Sequence, residues 1–420
     1  MSKNRKASSL RYPLLTLLLL MLVLSISSPA AMAAITLDVM VVANNATERE
    51  AFTEAFRLYE KENPGITIQE AFTDAGTFQT KLLAMTAGGV QPDAMWLWGI
   101  HFRNLAPKGF LLPLDDHVDK AFLNAYFPNA IETSRYQGTL YALPGLVGTM
   151  AIMANLDMFA NAGVELVNYR DDWDSFLAKT KKLTRTGPTV QYGFTWYAKT
   201  VRDWTTWLWR NEGDLFDASL TKLAFNTPES LEALQYLSDL TNVHYVTPPG
   251  NTLVGAPWND FYNEKAAMYP NGSWSLGALN NVKFTIDIVP YPVHKNQTAT
   301  MDTFFMGVHA QAKHPEEAIA LAKWLTHSEA GQAQLYATKF GIPSIRKEAI
   351  RYFIETKHPW RLDIFLNALN IDQARALPYV ANWADIEALL VKEFTPVWSG
   401  QKPVKTVVDE ITPRVNALLQ

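Results

Sequence analysis

The apolar positions of this chain switch repeatedly between the period of a strand and that of a helix. Ile35 to Val42 is apolar and β-rich, and Phe52, Ala55, Phe56 and Tyr59 behind it recur at helical spacing. Thr47 and Glu50 make a capping box for that helix, and Asn63-Pro64-Gly65 stops it. Ile66 to Ile68 reads as a short strand. A second helix puts Phe78, Leu82 and Met85 on one face and ends at Gly88-Gly89, and Ala94 to Trp98 is strand-like again. A β-α-β-α-β series predicts an α/β layer on a mostly parallel sheet.

Tyr141-Ala142-Leu143-Pro144-Gly145 breaks that pattern, because Pro and Gly both end regular elements. Beyond it, Met150 to Asn155 predicts a strand and Leu156 to Asn161 a short helix closed by Gly163. Asp172 to Leu183 predicts an amphipathic helix, and Tyr192 to Trp196 a strand. Thr227-Pro228-Glu229 starts a helix with Pro at its first position. Ile286 to Val289 reads as a strand, Pro315 and Ser328 open two more helices, and the remainder to Gln420 is mainly helical. Two similar α/β halves on one chain invite a cleft between them.

The N-terminus has a different character. Lys3, Arg5, Lys6 and Arg11 precede an apolar run from Leu14 to Ile26, and Ala31-Met32-Ala33 offers a small-x-small cleavage pattern. The run is too short to cross ~30 Å of hydrocarbon comfortably. The expectation is a signal peptide over residues 1–33, cleaved after Ala33, and a protein exported to an aqueous compartment, most simply a bacterial periplasm. No later stretch is apolar for long enough to span a membrane.

A composition of 48% hydrophobic and 19% charged residues excludes disordered, collagen-like and coiled-coil classes. The net charge is -4, and the leader holds four basic and no acidic residues, so the cleaved chain is more acidic still. Nothing in that balance favours nucleic acid. The absence of cysteine excludes disulfides, thiol catalysis, Cys-based zinc sites and a lipid-modified N-terminal Cys. There is no G-x-S-x-G, H-E-x-x-H or P-loop, and no two histidines sit at helical pair spacing. The expected set of catalytic residues, metals and cofactors is therefore none. Adjacent acids such as Asp115-Asp116 and Asp171-Asp172 read as turn and cap residues, although two distant acids can still meet in a glycosidase cleft.

The 13 tryptophans point to a chemistry. Indole faces pack against the C–H faces of sugars, while amides, carboxylates and backbone groups take the hydroxyls. Trp96 and Trp98 close one predicted strand, Trp196 and Tyr197 end another, and Trp258 and Trp274 flank Asn259 to Ser273. Trp173 and Trp324 lie on helical apolar stripes and read as core, as does Trp207. Trp274 directly follows Asn271-Gly272-Ser273 and reads as a ring presented on a loop tip.

An ordered series of segments carries a family resemblance. It runs from Lys61-Glu62-Asn63-Pro64-Gly65 through Lys81 to Asp93 (KLLAMTAGGVQPD) and Gly109-Phe110-Leu111-Leu112-Pro113-Leu114. Gly138 to Pro144 and Asn155 to Gly163 follow, then the sharpest piece, Phe261 to Trp274 (FYNEKAAMYPNGSW), and last Gly341-Ile342-Pro343. Over essentially the whole cleaved chain it resembles the extracellular solute-binding proteins of ABC sugar importers, in the maltose-binding-protein-like group. Glu264 stands where that pattern usually has Gly, and Trp98 where an Asp or small residue is often found.

The resemblance implies an α/β, two-lobed (type II-like) fold with a ligand cleft between lobes joined by hinge crossovers. Those crossings are expected near Tyr141 to Leu146, Val289 to Val293 and Gly341 to Ser344. Lobe one would comprise residues 34–143 and 293–343, and lobe two residues 144–292 and 344–420. By resemblance Trp274 is the main stacking platform, with Asn271 and Gly272 beside it. Asp93, Trp98 and Thr77 line the wall of lobe one, Asn44 and Asn45 the cleft mouth, and Trp196 lobe two, while Asp302 and Arg346 bond ligand oxygens. The implied partners are a sugar or oligosaccharide and an importer permease, with the receptor a monomer. A same-fold receptor for a polyol phosphate, polyamine or iron, and a secreted carbohydrate-active enzyme, remain as alternatives.

Overall fold

The computed structural model describes residues 34–279, 282–355, 360–370, 374–380 and 382–420. The expected leader and its cleavage point lie outside the described residues. Strands β1 (Ile35–Val42), β2 (Ile66–Thr73) and β3 (Ala94–Trp98) pair in parallel, with β1 in the middle. Between them run helices α1 (Ala46–Glu62) and α2 (Phe78–Ala87). The cap of α1 differs from the expected box. Asn45, not Thr47, is its N-cap and accepts from Glu48 N, while the Glu48 carboxylate turns back to the Asn44 N–H. An Asn is an equally good N-cap acceptor, and it sits closer to the end of β1.

The expected break at Pro144-Gly145 is a continuation instead. Strand β4 (Ala142–Asn155) runs straight through it and is buried at every residue. Its first half pairs antiparallel with β7 (Ala299–Val308), with a register shift between Pro144 and Leu146. Pro lacks the N–H a ladder needs, and an irregularity of this kind is where a strand tolerates one. Gly145 is required by packing, because a Cβ there would lie 2.6 Å from the Trp96 ring. The second half of β4 pairs with β5 (Met268–Gly272) and β6 (Ile286–Val289). Strand β7 continues to β3, and β8 (Ile342–Pro343) returns to β4 at Leu146 and Val147.

One core, with Leu37, Trp96, Met306 and Leu325, thus lies around β1, β3 and β7, and another, with Ile152, Phe176, Trp207 and Trp398, around the far half of β4. The chain is a two-lobed α/β protein whose lobes share β4 and β7. The second crossing does not fall at Val289 to Val293. Val293 bridges Asp172, and Arg210 holds the Tyr291, Pro292 and Gln297 carbonyls, so this segment stays with lobe two until β7 begins. Tyr192 to Trp196 is extended but not a regular strand; only Tyr192 and Thr195 donate to the β5 side, at Lys265 O and Met268 O.

Two expected site residues belong to this framework. Asp93 precedes β3, at the end of the strand away from Trp98, and is 1% exposed. Its carboxylate accepts from Asp38 N, Lys313 N and His314 N at 3.0, 2.7 and 3.0 Å, so it ties β1 to the entry of the helix Pro315–His327. Trp196 is 0% exposed and meets Trp398 edge-on at 5.1 Å, inside the core of lobe two. Trp196→Ala should cost about 3–5 kcal/mol through the cavity it leaves. Asp93→Ala should cost about 2–5 kcal/mol by stranding three donors. Urea unfolding measures both, and a variant of either residue that unfolds like the wild type would return that residue to the cleft.

Candidate functional site

The parallel strands deliver their C-terminal ends to one edge, where open α/β sheets place their ligands. Asn44 and Asn45 follow β1, Thr77 follows β2, and Trp98 ends β3. A short network joins them. Asn44 Oδ1 accepts from Ala75 N at 3.1 Å, His101 Nε2 lies 3.0 Å from Ala75 O, and His101 Nδ1 accepts from Trp98 N at 3.2 Å. That pair of bonds fixes the proton on Nε2. Burial pushes the imidazole down to about 4, so His101 is a neutral strut. Asn44, Asn45 and Thr77 are exposed, and Thr77 Oγ1 is already bonded to Asp74 Oδ2. Trp98 is half-buried, stacked on Phe340 at 5.2 Å and edge-on to Phe304 at 5.9 Å.

Lobe two faces this edge with Trp274. The half-buried ring packs against the cores of both lobes, so it sits in the seam between them. Two glycines make its seat. A Cβ at Gly272 would lie 2.2 Å from the indole and one at Gly148 2.7 Å from it, so the ring lies flat on bare backbone of β4 and β5. Asn271 Oδ1 accepts from Trp274 Nε1 at 3.0 Å and fixes the rotation. The ring is held at the end of β5 by a 3-10 turn, Ser273–Ser275, and not on a free loop tip.

Beside the ring lies a charged cluster of which the sequence singles out only Asp302. Helix Val201–Arg210 starts here, capped by Glu387, which accepts from Thr200 Oγ1 and Val201 N. The Arg202 guanidinium sits 4.6 Å from the Trp274 ring centroid. Asp203 is buried beside it, and burial pushes its carboxyl up to about 7 against the pull of Arg202. Asp302, on β7, is 8% exposed, and burial raises it to about 6, again opposed by Arg202. One Asp302 oxygen lies so close to Gly99 that a Cβ there would come within 2.7 Å, with the Tyr379 ring on the same side. Asn271, Gly272, Trp274, Trp98 and Asp302 therefore gather at the seam. Arg346 does not: it is exposed, and its guanidinium donates to Asn124 O on another part of the surface. The missed signal was the run Thr200-Val201-Arg202-Asp203, two residues beyond Trp196-Tyr197, where charges interrupt an aromatic-rich stretch.

Perturbed carboxylates in a cleft mark functional positions, and they carry a stability cost. An acid raised in the folded state stabilises the fold only at low pH. Its contribution is full below the unfolded value of 3.8 and is lost as pH rises through about 6. Asp302→Asn should therefore raise stability by about 2–3 kcal/mol above roughly pH 6 and leave it unchanged below roughly pH 4. Urea titrations at pH 4 and 7.5 check this; a variant that is weaker at pH 7.5 contradicts it.

Among the described residues no helix is long and apolar enough to cross a membrane, and no His/Cys/Asp/Glu group is arranged to hold a metal ion. Comparison with known proteins places this geometry. The chain is 25% identical over 297 residues to the multiple sugar-binding protein of Streptococcus mutans, covering 65% of this chain and 67% of that one. Its fold matches an ABC substrate-binding protein of Listeria monocytogenes solved in complex with cycloalternan, with a TM-score of 0.81, 23% identity and coverage of 91% and 98%. It matches equally the sugar-binding protein of the phytopathogen Xanthomonas citri, with a TM-score of 0.81, 20% identity and coverage of 92% and 97%. The family of bacterial extracellular solute-binding proteins matches residues 43–332, and this chain belongs to it.

Proposed function

We propose that this protein captures a sugar or oligosaccharide between its lobes and presents it to the membrane permease of an ABC importer. The observation that carries this reading is the seam itself. An indole clamped on two glycines, a second indole at the end of β3 and a guanidinium–carboxylate cluster converge where both lobes meet. That mixture of apolar faces and convergent polar groups suits a ligand with C–H faces and hydroxyl rims. The sugar-binding names of the relatives support it. In this reading the hinge dihedrals lie in β4 near Pro144 to Gly148, in β7 near Asp302, and at Gly341 to Ser344. Closure is a rigid-body motion about these points. The protein works as a monomer in the periplasm after cleavage behind Ala33, and it binds without breaking bonds.

Four measurements test the reading. A thermal-shift screen of neutral oligosaccharides should find a ligand that raises the melting temperature, because it binds the native state alone. Trp274→Ala should still unfold cooperatively yet lose about 2–4 kcal/mol of affinity for that ligand, some 30- to 1,000-fold. Binding within threefold of wild type would take Trp274 out of the site. Chromatography of the bound sugar after long incubation should show no new product; cleavage abolished by Asp302→Asn would make the protein an enzyme. N-terminal sequencing of the exported protein should begin at Ala34.

A further inference from the structure

We infer that Arg202 is the specificity-determining residue of the cleft and that its ligand is an uncharged saccharide; the inference rests on the receptor reading. The Trp274 ring has one face on Gly272 and Gly148, and the Arg202 guanidinium lies 4.6 Å from its centroid. An indole seated on backbone has one face left for any partner, and Arg202 takes it. The ligand therefore meets the guanidinium lying on the indole, and Trp274 acts through Arg202 as a positioning residue.

The guanidinium is positioned but unsatisfied. Its side chain is 29% exposed, and Asp203 Oδ2, its nearest carboxylate oxygen, is 4.0 Å from Nε. That is beyond hydrogen-bonding distance. Nε is buried without a partner, and the guanidinium donates to no acceptor among the described residues. A buried donor left unmet asks for an explanation, and a ligand acceptor supplies one. Five N–H groups in a rigid fork, oriented by a ring beneath them, bind a pair of oxygens with little ordering cost.

Charge selects the class. Asp203, 4.0 Å from Nε, and Asp302 flank the guanidinium; Asp302 ionises above about pH 6, so at neutral pH an anionic sugar meets a carboxylate and a cationic one meets Arg202. A neutral sugar uses both signs. Its oxygens accept from Arg202, while its hydroxyls donate to Asp302, whose Oδ1 receives only the Thr303 N–H among the described residues. Adjacent hydroxyls on one ring match a donor fork beside an acceptor.

Titration calorimetry with three probes tests this: maltotriose, tri-galacturonate and chitosan trimer, against wild type, Arg202→Ala, Arg202→Lys, Trp274→Ala and the double variant. Maltotriose should bind wild type at least about tenfold tighter than either charged probe. Arg202→Ala should weaken it by about 30-fold or more, and Arg202→Lys by about tenfold, since an ammonium keeps the charge and loses the fork. The double variant should be no more than about threefold weaker than Arg202→Ala, because Trp274 works through the residue already removed. If Arg202→Ala fails to fold in a urea titration, the lysine variant and the probe ranking carry the test. Tighter binding by Arg202→Ala would show a plug on the ring and overturn the inference, as would tri-galacturonate binding best or additive losses in the double variant. Those results leave the receptor reading intact. Wild type binding none of the three probes overturns the inference for maltotriose, and only an empty thermal-shift screen of oligosaccharides as well removes the receptor reading.

Discussion

The antiparallel pairing of β4 with β7 is the constraint on which the rest of the molecule depends. Both strands are buried at every residue, and β4 leaves one core, at Leu143 and Leu146, to enter the other at Met150 and Ile152. Every buried peptide group in them needs a partner, and the ladder between them supplies it. A seam crossed by two paired strands bends only where the ladder is already irregular. Pro144 and Gly145 provide that place in β4, and β8 adds a third short contact at Leu146 and Val147. Strand register across the seam is thereby set by the same few residues.

The site inherits its precision from that ladder. Gly148 lies on β4 six residues past its start, and Gly272 ends β5 opposite Met150. The ladder brings these two glycines to diagonal positions on one face, where together they leave a bare bed for Trp274. A side chain at either position would lift the ring off the backbone. The seat, the Asn271 bond that stops the ring rotating and the guanidinium above it form one stack, from backbone to cleft.

The fold was largely legible because period and punctuation agree. The β1-α1-β2-α2-β3 order, the Pro228 and Pro315 helix starts and the Gly163 closure all appear where the local signals put them. The seam was harder to read. Pro144-Gly145 carries the chemistry of a break, yet tertiary pairing makes it the interior of a strand. Trp98 and Trp274 stand out in the sequence by their positions after a strand and beside a glycine, and the fold brings both to the seam. Asp93 and Trp196 looked the same in sequence, and burial separates them: Asp93 is spent on three backbone donors, and Trp196 on Trp398. Arg346 was an isolated cation with no pattern to locate its side chain. Arg202 was missed because a helix start with one Arg and one Asp is ordinary. Its meaning comes from β5 and β7, which lie far away in the chain.

That distance explains why the cluster is kept. Arg202, Asp203 and Asp302 are held at a seam where burial raises both acids, and a core built for stability alone would replace them with apolar side chains. A buried charge that is poorly paired with its neighbours weakens the fold in the empty state. The same lack of partners leaves donors and acceptors available to whatever enters the cleft, and desolvation strengthens each bond then formed. In the proposed reading, a ligand that completes these hydrogen bonds regains the stability given up along β7 in the empty protein, and that differential would bias the lobes toward closure.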